Sequence, residues 1–194
     1  AEGESVPAGP EEVIWLIPEP CFTPDILNGQ LLTASVWVGT SEQVSMTIEN
    51  CGEGVLAFEF TDFNDPTHSV GFVKAVQPFN GQIAEGESME VTFTFSAVGY
   101  GAGTYNVNVP MTTNALAPLD EINVPCRMIA YTPATIYGTV VDCNSGVPIK
   151  NVTVTAVGVS NGLTFTTETL ANGTYSMYVD AGTYNVTYFK LSYQ

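Results

Sequence analysis

Apolar and polar residues alternate along most of this chain. In Glu90–Ser96 (EVTFTFS), Val91, Phe93 and Phe95 would lie on one face of an extended strand, and the hydroxyl residues between them on the other. The same period recurs in Val44, Met46 and Ile48; in Leu56, Phe58 and Phe60; in Val152, Val154 and Ala156; in Tyr175, Met177 and Val179; and in Tyr184, Val186 and Tyr188. Asn-Gly and related turn sequences separate these runs, and no stretch of eleven residues shows helical periodicity. The pattern predicts an all-β protein.

The alternation is interrupted at Thr132-Pro133-Ala134, where one strand pattern ends and another begins. The break predicts two tandem β-modules. A chain of 194 residues of which 45% are apolar is long and apolar enough to form a small core in each of them. We expect a flexible acidic segment over residues 1–11, a first sandwich over 12–131, a linker over 132–134 and a second sandwich over 135–194.

The hexapeptide AGTYNV occurs once in each predicted module, at Ala102–Val107 and at Ala181–Val186. In Greek-key sandwiches, a tyrosine that follows such a glycine packs its ring in the core at a corner between sheets, and its hydroxyl bonds to backbone a few residues upstream. Tyr105 and Tyr184 are therefore predicted to be structural corners, and the repeat indicates two Greek-key sandwiches.

Charge narrows the classes of partner. The chain has 4 basic and 20 acidic residues, for a net charge of −16. Such a chain repels the phosphates of nucleic acids and anionic lipids, so we expect no nucleic-acid partner. The strongest apolar run, Val13–Ile17, is too short to cross a bilayer, which requires roughly 20 residues. The start of the chain has no signal-peptide pattern, so we expect a mature form or an excised piece. High Thr, Asn, Gly and Tyr with few Lys is typical of a secreted or cell-surface protein.

Few side chains point to chemistry. His68 is the sole histidine, and no motif supplies it with a nucleophile, so we expect neither an enzyme nor a cofactor. Asp62, Asn64 and Asp65 offer clustered oxygens for calcium, but the segment lacks the glycine and terminal glutamate of an EF-hand loop. They are a weak candidate site, and a polar turn is the better explanation.

Three sequons lie in the last third of the chain and begin at Asn151, Asn172 and Asn185. They are candidates for glycosylation in an exported protein. Because the sequence is rich in Asn and Thr, chance matches to this short pattern are also expected.

Residues 135–194 resemble the carboxypeptidase-regulatory-like domain, a transthyretin-type sandwich common in secreted bacterial proteins. The resemblance rests on five segments in order: Ile136–Asp142, Asn144–Pro148, Asn151–Ala156, Asn172–Tyr175 and Ala181–Tyr184. Residues 12–131 more loosely resemble immunoglobulin-like domains of the abnormal-spindle and BACON types. The matching positions are Asn50–Gly52, Leu56, Phe58, Pro78–Gly81, Ile83, Gly86–Ser88, Val91, Phe93 and Gly99–Tyr105. Both resemblances imply an extracellular spacer, adhesion or scaffolding role without catalysis.

The sequence departs from the regulatory-like pattern at the C-terminal end of the second module. Such modules continue past the step seen at Lys190–Tyr193 into at least one more strand, so we expect the second sandwich to lack its last strand. Either the chain is truncated or another chain supplies the strand. The candidate donor is the apolar run Val13, Ile14, Trp15, Leu16 and Ile17. The alternative is that this run is the first strand of the first module.

Four cysteines leave the pairing open. The immunoglobulin-like resemblance places the loop after the second strand and the start of the final strand at the same pole, which implies a Cys51–Cys126 disulfide. Cys21 and Cys143 would then be paired across modules, linked to neighbouring chains, or free.

Three functional hypotheses follow. The first is a structural or adhesive surface protein that self-associates, with strand donation building a filament. The second is an accessory region of a larger secreted hydrolase, whose partners are other domains of the parent protein. The third is a glycan-binding module that uses Trp15, Trp37 or surface tyrosines. Both tryptophans lie in apolar strand patterns that predict core positions.

Overall fold

The computed structural model describes residues 16–65 and 67–191. The chain divides into two compact units, Ala1–Tyr131 and Thr132–Gln194. The strands of the first unit are β1 Pro20–Thr23, β2 Leu32–Trp37, β3 Ser41–Asn50, β4 Leu56–Glu59, β5 Val73–Gln77, β6 Asn80–Ile83, β7 Ser88–Ser96, β8 Gly103–Thr113 and β9 Glu121–Tyr131. Those of the second are β10 Ala134–Thr139, β11 Thr153–Gly158, β12 Thr164–Glu168, β13 Thr174–Val179 and β14 Tyr184–Phe189. Two short 3₁₀ helices span Ile26–Asn28 and Thr61–Phe63. The prediction of an all-β protein is confirmed.

Two sheets form the first unit. One has the strand order β1-β3-β7-β5 with antiparallel neighbours, and the other has the order β2-β9-β8-β4-β6. In the second sheet β2 runs parallel to β9, and the other neighbouring strands are antiparallel. Both sheets contribute side chains to one apolar core.

Alternation along β7 shows how the sequence builds this core. Val91, Phe93 and Phe95 are fully buried, while the residues between them are more accessible. The ring of Phe93 meets Phe60 edge-to-face at 5.4 Å between centroids, and Phe95 meets Phe72 at 5.0 Å. Such pairs add about 0.5–1.5 kcal/mol beyond the burial of their area.

The second unit has a two-stranded sheet, β10-β13, and a three-stranded sheet, β12-β11-β14, all antiparallel. Its core cluster is small: the buried members are Val154, Ala156, Tyr175, Met177 and Val179. Partly buried apolar residues, Ile136 and Val186 among them, surround this cluster.

The repeated hexapeptide forms the same structure in each unit. The Tyr105 hydroxyl donates to the Gly101 carbonyl at 3.1 Å, and the Tyr184 hydroxyl donates to the Asp180 carbonyl at 3.0 Å. Each bond reaches back four residues, and each tyrosine ring packs partly buried against its own core. The repeat therefore marks one corner device used twice.

Candidate functional site

Each sheet of the second unit has two outer edges without a strand partner among the described residues of that unit, those of β10 and β13 in one sheet and those of β12 and β14 in the other. β10 pairs along one side with β13, and β14 pairs along one side with β11. The other edge of each strand presents backbone N–H and C=O groups that a further strand could satisfy. Of the four unpaired edges, we take those of β10 and β14 as the candidate functional site, because a cavity and exposed apolar side chains lie beside β14, and we call these two the open edges.

Apolar side chains line the open edge of β14. Tyr188 and Phe189, at the end of the strand, are 52% and 62% exposed, although Tyr188 belongs to the inward-facing alternation with Tyr184 and Val186. A cavity of about 180 Å³ opens beside them and is lined by Val140, Ile149, Val152, Tyr188, Phe189 and Lys190. An apolar side chain from an added strand would fill such a cavity.

The hydroxyls of Tyr175 and Tyr188 lie 2.8 Å apart and connect β13 of one sheet to β14 of the other. Their rings meet at 5.9 Å between centroids. Burial, together with this hydrogen bond, raises the pKa of Tyr175 to about 12. The Tyr175 hydroxyl is therefore protonated at physiological pH.

Gly138 on β10 lies opposite Tyr175 in the strand register. A Cβ atom at this position would lie 2.8 Å from the Tyr175 hydroxyl oxygen, so the aromatic ring occupies the space that a side chain would need. The glycine of the regulatory-like pattern is thus explained by packing, since it lets the ring cross beneath β10.

The donor candidate lies only in part within the described residues. Val13, Ile14 and Trp15 fall outside them. Leu16 and Ile17 are 61% and 44% exposed and precede β1 outside any strand.

The Ile17 carbonyl accepts a 2.8 Å hydrogen bond from the Glu53 N–H. These last two residues of the candidate are therefore held at the first unit, so a donated strand would have to use residues before them.

The disulfide prediction was wrong. Cys51 is bonded to Cys21, with Cα atoms 6.0 Å apart, and both Cys126 and Cys143 are free. β1 pairs with β3, and the Cys51 N–H donates to the Glu19 carbonyl, so this pairing brings Cys21 to Cys51. Cys126 faces the core from β9, where burial raises the pKa of its thiol to about 12.

The weak calcium candidate forms a local turn. The Asp65 carboxylate accepts hydrogen bonds from the Thr67 N–H and hydroxyl, each at 2.8 Å, and the N–H bond is the main cause that lowers the pKa of Asp65. Asp62 lies in the 3₁₀ helix, and Asn64 follows it. Within residues 16–65 and 67–191, no three His, Cys, Asp or Glu side chains gather closely enough to hold a metal ion. His68 lines a surface cavity of about 380 Å³ near this turn.

All three sequon asparagines are exposed. Asn151 adopts a positive φ of 56°, Asn172 caps a turn by accepting from Thr174, and Asn185 lies on β14. Glycosylation of these positions stays a prediction.

The core positions predicted for the two tryptophans are not found among the described residues. Trp37 at the end of β2 is half-buried and is not part of the core cluster, while Trp15 lies outside the described residues. Among surface tyrosines, Tyr137 on β10 and Tyr178 on β13 are 78% and 64% exposed. Sequence reasoning did not single out these two, although the alternation in each strand separates them from inward-facing Ile136 and Met177.

No helix of the described residues has the length and apolarity to span a membrane.

Comparison with known protein families supports the resemblance of one segment of the chain. Residues 135–194, less than one third of the chain, match the Carboxypeptidase regulatory-like domain family, which confirms the resemblance predicted for this segment. No curated protein matches the chain. The resemblance of residues 12–131 to abnormal-spindle and BACON domains stays a prediction.

Several solved structures are distantly similar to the chain. The chain is similar to the ASH/PapD-like domain 7 of human CEP192, with 12% identity and a TM-score of 0.39 over 68% of this chain and 97% of that one. It is similar to a Porphyromonas gingivalis W83 protein of unknown function, with 12% identity and a TM-score of 0.42 over 77% of this chain and 80% of that one.

It is also similar to a chain of the CsuC–CsuE chaperone–tip adhesion subunit complex from Acinetobacter baumannii. The identity is 8% and the TM-score 0.36, over 82% of this chain and 95% of that one. All three likenesses are too distant to carry a functional conclusion.

Proposed function

We propose that this chain is a non-catalytic, exported structural protein that self-associates by accepting a β-strand at the open edges of its second unit. The single observation that carries the proposal is that the edges of β10 and β14 have no strand partner among the described residues, with exposed apolar residues and a cavity beside β14. The Cys21–Cys51 disulfide supports export, because such bonds persist in oxidising compartments and are rare in the cytosol.

An added strand suits these edges for two reasons. Strand addition satisfies the backbone groups of the edge, and alternate side chains of the incoming strand can enter pockets beneath it. Here the cavity beside Phe189 would receive such a side chain, and the half-buried Ile136 would lose its remaining exposure. An exposed edge with apolar neighbours is otherwise a site of uncontrolled aggregation.

The donor we propose is the apolar segment before Leu16 in a neighbouring copy. In the alternative, the chain is an accessory region of a larger secreted hydrolase, and the strand comes from elsewhere in the same polypeptide. Under that alternative the edges are filled within one molecule, so no self-association is expected.

Light scattering after size exclusion, with negative-stain images of the same samples, distinguishes these possibilities. We expect concentration-dependent assemblies that disappear when residues 1–15 are deleted and persist when only the acidic residues 1–11 are deleted. On the acceptor side, Phe189→Lys should also abolish assembly. The matched control is Leu170→Lys, because Leu170 is 65% exposed in the same unit but does not line the cavity.

A monomer at every concentration would contradict self-association and favour the accessory-region alternative. Assemblies that survive both the longer deletion and Phe189→Lys would show that association uses another surface.

A further inference from the structure

The outward face of the β10-β13 sheet has an unusual composition. Every outward-facing side chain of the two strands carries a hydroxyl group, and none is charged. The cross-strand pairs on this face are Thr135 with Tyr178, Tyr137 with Ser176, and Thr139 with Thr174. We call these six residues the hydroxyl face.

Two tyrosine rings dominate the hydroxyl face. Tyr137 is 78% exposed and Tyr178 is 64% exposed, which leaves most of each ring in solvent. Because Tyr178 lies two residues beyond Ser176, the partner of Tyr137, the tyrosines are diagonal neighbours on one surface. Diagonal neighbours are about 7–8 Å apart, which is within the span of a single extended ligand.

The buried residues of the same strands show that the two tyrosines are exposed because the ordered sheet holds them outward, not because this part of the fold is loose. Tyr175, Met177 and Val179 alternate with the outward residues of β13 and are buried in the core cluster. The strand register therefore fixes Tyr178 and Ser176 outward, so the two exposed rings are presented by a paired sheet. Only Thr174 at the end of the face is half-buried, where its hydroxyl donates to Asn172.

The chemistry of the hydroxyl face selects among ligands. Aromatic rings offer flat apolar surface with a polar tip, and Ser and Thr offer donors and acceptors in adaptable positions. A sugar ring presents the complementary pair of features, an apolar C–H face and a rim of hydroxyl groups. Unpaired bases also stack on aromatic rings, but a chain of net charge −16 repels the phosphates that carry them.

A protein partner fits the face less well than a sugar. Buried centres of protein interfaces are largely apolar, whereas each position here carries a hydroxyl that would need a hydrogen-bond partner on burial. We therefore propose that the hydroxyl face binds a neutral polysaccharide, with Tyr137 and Tyr178 stacking on its sugar rings. This site uses the outward side chains of β10 and β13, whereas strand addition uses the backbone groups at the edge of β10, so the proposal does not depend on the function proposed above.

Binding can be tested with neutral probes. Full-length protein is run in native gels that contain mixed-linkage β-glucan, glucomannan, xyloglucan or amylose, and is sedimented with insoluble cellulose and chitin. We expect retention by at least one probe, and roughly tenfold weaker retention for Tyr137→Ala or Tyr178→Ala. Tyr137→Phe and Tyr178→Phe should retain most of the binding, because they keep the stacking ring and lose only the hydroxyl.

Controls separate this proposal from the previous one. Leu170→Ala removes a similarly exposed side chain from the same unit and should bind as the unmodified chain does. Phe189→Lys should abolish assembly without changing retention by the polysaccharide.

Absence of retention on all six probes would overturn the proposal, as would retention of the two alanine variants equal to that of the unmodified chain. If the alanine variants instead lower the molecular mass in solution and no probe is retained, the face is a contact between protein copies and the glycan proposal is wrong.

Discussion

The two units use the same tyrosine corner but differ in how completely each fills its own interior. Among the described residues of the first unit, nine strands surround a core cluster of twenty-five buried residues that includes several phenylalanines. Among those of the second unit, five strands surround a cluster of five, and Tyr188, which belongs to the inward-facing alternation of β14, is 52% exposed. A corner motif therefore specifies how the chain turns between sheets but not whether the resulting sandwich is closed.

Size makes this difference important for stability. A domain of about 60 residues buries only about 60% of the surface of its unfolded chain and is marginal on its own. The second unit is of this size, Thr132–Gln194, and has open edges as well. We expect it to be the less stable unit, and to gain stability when a strand is added, because a ligand that binds only the folded state stabilises it.

The two units can be followed separately in one sample. Trp37 lies at the end of β2 in the first unit, so tryptophan fluorescence of a chain that carries Trp15→Phe reports the unfolding of this unit alone. Tyrosine circular dichroism is weighted to the second unit, which holds six of the nine tyrosines.

The largest effect is expected from Phe93→Ala in the first core. Phe93 is fully buried and packs edge-to-face on Phe60, so its truncation should lower the free energy of unfolding by about 3–5 kcal/mol. Urea titration should show a large shift of the tryptophan transition and none of the second-unit transition. Val98→Ala is the control, because Val98 is 60% exposed. Equal shifts of both transitions would contradict the picture of two separate cores.

A somewhat smaller loss is expected when the Cys21–Cys51 disulfide is removed. The bond joins residues 30 apart, and the chain-entropy model gives about 3.5 kcal/mol for a loop of that size. Cys21→Ala with Cys51→Ala should therefore lower the first transition only. Cys143→Ala, at an exposed free cysteine, should change neither transition. An unchanged first transition would show that the loop is held equally well by the hydrogen bonds of Ile17 and Glu19.

These features differ in how far the sequence could predict them. Alternation identified Val91, Phe93 and Phe95 as buried, because the strand period depends only on local residues. The disulfide depended on which strand lies beside β3, and β1 rather than β9 occupies that position. Such long-range neighbours cannot be read from spacing, so the implied Cys51–Cys126 pairing was wrong.

The candidate site shows the same division. The regulatory-like pattern predicted a missing strand, but strand order was needed to show that β10 and β14 are among the strands with an unpaired edge. The sequence also contained Tyr137 and Tyr178 at alternating positions. Only the register between β10 and β13 brought them together on one face, since they lie far apart along the chain.

A moderate effect confined to the second unit is expected from Gly138→Ala. The added methyl group would meet the Tyr175 ring, which is itself held by its hydroxyl contact with Tyr188. Such overpacking typically destabilises by about 1–3 kcal/mol. Gly101→Ala in the first unit is the matched control, because a Cβ there has open space around it. If Gly138→Ala leaves the second transition in place, the ring is free to move and the core of this unit is looser than its packing suggests.

The smallest effect, and the sharpest comparison, comes from the two corner tyrosines. Tyr105→Phe and Tyr184→Phe each remove one hydroxyl and one hydrogen bond, for an expected loss of about 0.5–1.5 kcal/mol. The loss should be larger for Tyr184, because its bond to Asp180 is partly buried whereas the Tyr105 bond to Gly101 is exposed. Tyr137→Phe, which removes an exposed hydroxyl from the second unit, is the control for a general effect of the substitution. A greater loss of unfolding free energy for Tyr105→Phe would contradict this expectation. It would mean that the larger core around Tyr105, and not the burial of the hydrogen bond itself, decides how much a corner tyrosine stabilises its unit.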